Sequence, residues 1–180
     1  LKLFLALVLL LTVNKVHSKE EDVVKVDPNL SGIFSTFAKL CAGEIKDESD
    51  IAGADQLNRS GLDYSLDSLK LLDSYLLSVH QKISSFPQKE LENTVLWCGA
   101  YVGEVITRTA KGDYLWEAYD SYVERNPEIK EVMPLSFTTR TILVSGEDGK
   151  AMTLPVNKVY RFLTEGPENN IHYYGQGFIN

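Results

Sequence analysis

The chain has 180 residues, of which 44% are hydrophobic, and a formal net charge of −7. That length suits one domain behind a short leader, and the acidic balance argues against nucleic acid or an anionic membrane surface as a partner. Two cysteines and three histidines are present. None of them stands in a metal-ligand spacing such as HExxH, so neither a metal nor a cofactor is expected.

The first element is LKLFLALVLLLTVNKVHS, residues 1–18. Lys2 precedes an apolar run from Leu3 to Val13 broken only by Thr12, and Val16 and Ser18 stand at positions −3 and −1 before Lys19. This is the layout of a secretory signal peptide. As a helix the run would rise about 17 Å, against roughly 30 Å of hydrocarbon. Cleavage is therefore expected rather than a retained anchor, with no membrane span left afterwards. Losing Lys2 and Lys15 takes the formal charge from −7 to −9. The product would be exported, to a periplasm or to the extracellular space. The sequence opens on Leu1, and its true start is left open.

Residues 19–30 read as a leader. A short helix then runs from a Ser31 cap, with Ile33, Phe34, Phe37, Leu40 and Cys41 on one face and Gly43 as its stop. The acidic stretch 44–61 reads as a loop, one that need not be ordered. Ser65 is placed as the N-cap of an amphipathic helix with Leu69, Leu72, Leu76 and Val79 in its stripe. Pro87 breaks the chain before a second long helix, Glu90 to Ala110. The two should pair as an antiparallel hairpin across their short connection. An aromatic strand is expected at 114–119. A β-hairpin should join 136–145 to KAMTLP through a four-residue turn at 146–149. A closing helix over 155–166 would turn Val156, Val159, Tyr160 and Leu163 inward and stop at Gly166. The aromatic tail IHYYGQGFIN has no assigned place. The resulting class is α+β: a helical hairpin packed on a small antiparallel sheet, with a closing C-terminal helix. The divisions are 1–18, 19–61 and 62–180.

Three stretches carry a resemblance: LDYSLDSLKLLDSYL (62–76), GAYVGEVITR with the following GDYLW (99–116), and PVNKVYRFLTEG (155–166). Together the chain resembles a group of small bacterial domains of unknown function. That group is marked by an LDYS-type cap, a GAYLGEV-type helix, an aromatic strand and a late helix ending in glycine. The resemblance covers roughly 62–166 and implies no activity and no catalytic residue.

GAYVGEVITR is the chemical puzzle. Gly99 and Gly103 each cost a helix interior about 1 kcal/mol relative to alanine. Four apart, they lie on one face, so either another backbone packs there or a site is being built. Glu104 follows directly, among apolar Val102, Val105 and Ile106. It either pairs with Arg108 at i+4, worth about 0.3–0.5 kcal/mol, or serves as a partly buried functional carboxylate. Trp97, Tyr101 and Trp116 would line a binding pocket in the second case and form core in the first. Cys41 and Cys98 read as a disulfide candidate in an oxidising compartment, worth roughly 4 kcal/mol on the chain-entropy account. Buried free thiols are the alternative. A nucleophilic pairing of Cys98 with His80 or His172 is a weaker reading, because such pairs meet only in space. Asn29 and Asn58 open Asn-X-Ser sequons that matter in a eukaryotic source.

Three functions follow in order. The first is an exported, non-catalytic binding domain, of the inhibitor or immunity type, recognising an unknown protein partner. The alternative is a small carboxylate-dependent hydrolase with Glu104 as general acid or base and Arg108 or a tyrosine positioning the substrate. The third is a structural helper whose aromatic tail packs on a partner.

Overall fold

The structure is a computed structural model that describes residues 28–146, 149 and 151–179. The expected signal peptide and its cleavage site lie outside the described residues. Helix α1 spans Pro28–Ala42 and starts three residues ahead of the expected Ser31 cap. Proline's fixed φ suits a first helical position. Leu30, Phe34, Phe37, Ala38 and Cys41 form its buried face, and Gly43, at φ 74°, ends it in the left-handed region.

Residues 44–61 are a loop, and the loop is tied down. Ile51, Ala52 and Leu57 are buried. The Ala52 N–H donates to Thr94 Oγ1 at 2.9 Å, and the Tyr75 hydroxyl donates to the Ala52 carbonyl at 2.6 Å. Helix α2 then runs from Ser68 to His80. It begins two residues later than a Ser65 N-cap would place it, because Ser65 caps the lead-in turn instead: its Oγ accepts from Ser68 N–H at 3.2 Å, while Asp63 Oδ1 accepts from Ser65 N–H at 2.9 Å.

Helix α3, Gln88–Thr109, is the pillar of the fold. From Asn93 to Ile106 every residue except Glu104 is buried. A helix apolar nearly all round must be covered on several sides. The covering elements are chiefly α1 and, from the other end of the chain, α6 (Pro155–Glu165). The helical hairpin expected of α2 and α3 is thus loosened. The two are consecutive, but α2 packs mainly on α6 and on α7 (Ile171–Gln176).

The sheet is three-stranded and antiparallel, in the order β1 (Tyr114–Ala118), β2 (Thr141–Ser145) and β3 (Met152–Thr153). Trp116 pairs with Leu143, and Glu117 with Ile142. Side chains alternate between faces, so Trp116 and Leu143 join the main core with α1, α2, α3 and α6. Ile142 and Val144 join a second, smaller core. That core is closed by Tyr119, Tyr122 and Val123 of α4 (Tyr119–Arg125) and by Met133, just after α5 (Ile129–Val132). The class is α+β.

Two readings are corrected. Residues 136–140 are not strand. Ser136 N–H donates to Thr139 Oγ1 at 2.8 Å, and Thr139 Oγ1 donates to the Pro134 carbonyl at 2.8 Å. Hydroxyl-to-backbone bonds of this kind compete with ladder pairing and here they win. Tyr160 does not face inward; it is 43% exposed, and Phe162 takes the buried position beside Val156, Val159 and Leu163. The unplaced tail forms α7, packed on α2.

Candidate binding surface

The two glycines are close-packing devices. A Cβ on Gly99 would lie 2.6 Å from the Val156 Cα at the start of α6. A Cβ on Gly103 would drive into the indole of Trp116. The backbone of α3 therefore touches α6 at one glycine and an aromatic ring at the other. Trp116 in turn stacks on Phe34, with ring centroids 4.0 Å apart and planes at 27°. Trp97 and Tyr101 are buried in the same core. The Tyr101 hydroxyl accepts the Tyr64 N–H at 2.9 Å and bonds Ser68 Oγ at 2.7 Å. Burial pushes its pKa up to about 12. Gly99, Gly103, Trp97, Trp116 and Tyr101 are all buried in the core, and none of them lines the concavities described below.

Glu104 has a side chain 21% exposed, and its Oε1 accepts from Arg108 Nε at 2.9 Å. The Arg108 guanidinium lies 3.7 Å from the centroid of the Tyr64 ring. Tyr64 itself donates to Glu44 Oε1 at 2.6 Å and adopts φ 62°. Glu104 and Arg108 thus end a chain of side chains that pins the 61–65 turn to α3. Each member already has its partner within that chain.

The cysteines do come together. Cys41 Sγ and Cys98 Sγ are 3.5 Å apart and both are fully buried. The two histidines among the described residues are placed elsewhere: His80 Nδ1 bonds the Leu163 carbonyl at 2.8 Å, and His172 lies 3.8 Å from Asp67. Among the described residues no group of three or more His, Cys, Asp or Glu could hold a metal ion. Among the same residues no helix is long and apolar enough to cross a membrane.

What the surface does offer is a groove of about 420 Å³ between the start of α3 and the outer face of α6. Ile83, Leu91, Val95, Phe137, Tyr160 and Leu163 supply its apolar lining. Gln88, Glu92 and Thr164 supply its polar edge, and among the described residues that line it Glu92 is the one that carries a charge. Local structure explains the two exposed aromatics. The Ser-Thr turn holds Phe137 out of the sheet, and Thr138 Oγ1 donates to Asn157 Oδ1 at 2.9 Å, tying that turn to α6. Tyr160 sits at the border of the α6 stripe and stands 43% exposed, with Phe137 at 41%. Leu135, 51% exposed, lines a separate, smaller concavity with Ala118, Tyr119, Asp120 and Arg140. The sequence signals for this surface were present but easy to misread. Pro134 and Ser136 mark a turn within a β-branched run, and tyrosine carries both an apolar ring and a polar end.

A second concavity of about 500 Å³ lies between Leu66 and the tail residues Tyr173, Gln176, Gly177 and Ile179. It has fewer apolar walls than the groove. No protein-family model, curated protein or solved structure matches the chain.

Proposed function

We propose that this chain is an exported, non-catalytic interaction domain that docks a basic protein partner through the groove beneath Phe137 and Tyr160. The observation that carries the reading is that exposed groove. Contiguous apolar surface rimmed by polar groups is a mark of interaction sites. The partner's chemistry follows from charge: the chain carries −7, and Glu92 is the charged group in the groove. An apolar side chain flanked by Arg or Lys complements both features. Export rests on the character of residues 1–18, and kinship rests on the resemblance to the bacterial group of unknown function. The inhibitor or immunity type of action fits a small acidic domain that works by occupying a partner. The hydrolase alternative gains no support from the pairing of Glu104 with Arg108.

Three synthetic peptides of equal length test the reading by calorimetric titration: an amphipathic Arg/Leu helix, its Glu/Leu counterpart and its Arg/Ser counterpart. The Arg/Leu peptide should bind saturably at one site, at least about tenfold tighter than the others. Replacing Phe137 and Tyr160 by Ser should remove about 2 kcal/mol, or roughly thirtyfold in affinity. Equal binding of the three peptides, or binding untouched by the double replacement, would overturn it.

A further inference from the structure

We infer that Cys41 and Cys98 are a disulfide site, joining the last turn of α1 to the middle of α3. They are the two cysteines of the sequence, and the fold brings them into contact at 3.5 Å across 57 residues of chain. Each sits on a helix whose backbone is fixed by packing: α1 against α3 is the most extensive contact between elements. A disulfide holds its sulfurs about 2.05 Å apart, so the pair must approach from the 3.5 Å seen here. The two sulfurs are each other's hydrogen-bond partners, and the Arg59 guanidinium lies close enough to act on both of them electrostatically.

The chemistry requires an oxidant of the disulfide class, such as oxidised glutathione. One cysteine thiolate attacks a sulfur of that disulfide, forming a mixed disulfide and releasing one small thiol. The second cysteine, as thiolate, attacks the protein-bound sulfur, forms the Cys41–Cys98 bond and releases the other small thiol. The protein gives up two protons and two electrons, and the reagent becomes two thiols.

The folded state shields both reactants, because both sulfurs are fully buried. Burial also pushes the Cys98 thiol well above its ordinary value, with Cys41 beside it acting in the same direction. Only a thiolate attacks, so the bond forms while α1 is undocked and is sealed as α1 packs. The helix that carries one cysteine thereby becomes covalently held to the pillar of the fold.

The test uses the full chain, unfolded in urea with reductant, freed of reductant and refolded in oxidised and reduced glutathione. The product is alkylated with iodoacetamide in urea and weighed intact. The expected result is a monomer carrying no alkyl group and two hydrogens lighter than the reduced chain. Its urea midpoint should lie above that of the reduced protein by about 1–2 M. Reductant added during unfolding should abolish the difference. A Cys41→Ala/Cys98→Ala chain should show no response to reductant. Two alkylated cysteines after refolding, or bonds only between chains or to glutathione, would overturn the assignment. The wild-type comparison stands even if the double variant fails to fold. Neither readout depends on the groove, so loss of the docking proposal would leave this one intact.

Discussion

Asp73 on α2 accepts the backbone N–H of Ile171 at 2.7 Å, joining two points 98 residues apart in the chain. The same carboxylate accepts His172 N–H at 3.0 Å and Asn170 Nδ2 at 2.9 Å. One side chain thus satisfies the open amides at the start of α7, as an N-cap does within a single helix. Burial raises the Asp73 pKa and these donors pull it back down, so the net gain is smaller than three charged hydrogen bonds would suggest. Asp73→Ala should cost about 1–2 kcal/mol in urea unfolding. Amide exchange at Ile171 and His172 should rise well before the rest of the chain opens. Unchanged protection at those two amides would show that α7 is held by packing alone.

The glycine pair makes a contrasting prediction with a built-in control. Gly99→Ala and Gly103→Ala each gain about 1 kcal/mol of helix propensity. Overpacking should outweigh the gain, for a net loss of about 1–2 kcal/mol at each position. The loss should be harder to relieve at Gly99, where the obstacle is the Val156 backbone rather than a side chain. Gly32, also helical, has nothing within 4 Å of an added Cβ. Gly32→Ala should therefore stabilise by about 0.5–1 kcal/mol. If all three replacements stabilise, the close approaches at α3 are not tight.

The third prediction concerns the ion pair in the smaller core. Glu117 is 1% exposed, and its Oε2 meets Arg125 Nη2 at 2.5 Å. Its other oxygen, Oε1, and Arg125 Nε are buried without a partner. Burial raises the Glu117 pKa and outweighs the opposing pull of Arg125. A carboxyl whose folded pKa lies above its unfolded value favours the folded state most below the unfolded value. That contribution is lost as pH rises through the folded value. Relative to a Glu117→Leu/Arg125→Leu chain, the wild type should lose stability as pH climbs from about 4 toward neutrality. Glu117→Ala alone should cost about 3–5 kcal/mol at neutral pH by leaving the largely buried Arg125 guanidinium without its carboxylate, and the double replacement far less. Parallel pH profiles for wild type and double variant would remove the titration from the account.

Much of the framework was readable in the residues. Stripes at three- and four-residue spacing located α1, α2, α3 and α6, and the change to alternation at Tyr114 located β1. Periodicity reports which residues want burial, and so it worked where burial decides. It failed where side chains bond locally. The hydroxyls of Ser136, Thr138 and Thr139 turned a β-prone run into the wall of a groove. Partner choice was also hidden: α3 packs on α1 and α6 because its apolar surface runs all the way round, and periodicity does not say which neighbour covers which side. Glu104 drew attention by its apolar neighbours, yet its partner at i+4 was in plain sight. The groove was hidden for a related reason. It is made by Ile83, the first turns of α3, a loop and the outer face of α6, with Ile83 and Thr164 81 residues apart in sequence.

The contact of Gly99 with Val156 also dictates an order of assembly. During synthesis the N-terminal segments emerge first, so α1, α2 and α3 are available long before residue 156 leaves the ribosome. Until then one flank of α3 stays open to water, along with the face of α2 that α6 and α7 will cover. A nascent chain can therefore bring α1 to α3 early, but it cannot close its main core. Completion waits for the last elements, and a chain cut short before α6 should be soft and sticky rather than a smaller stable domain.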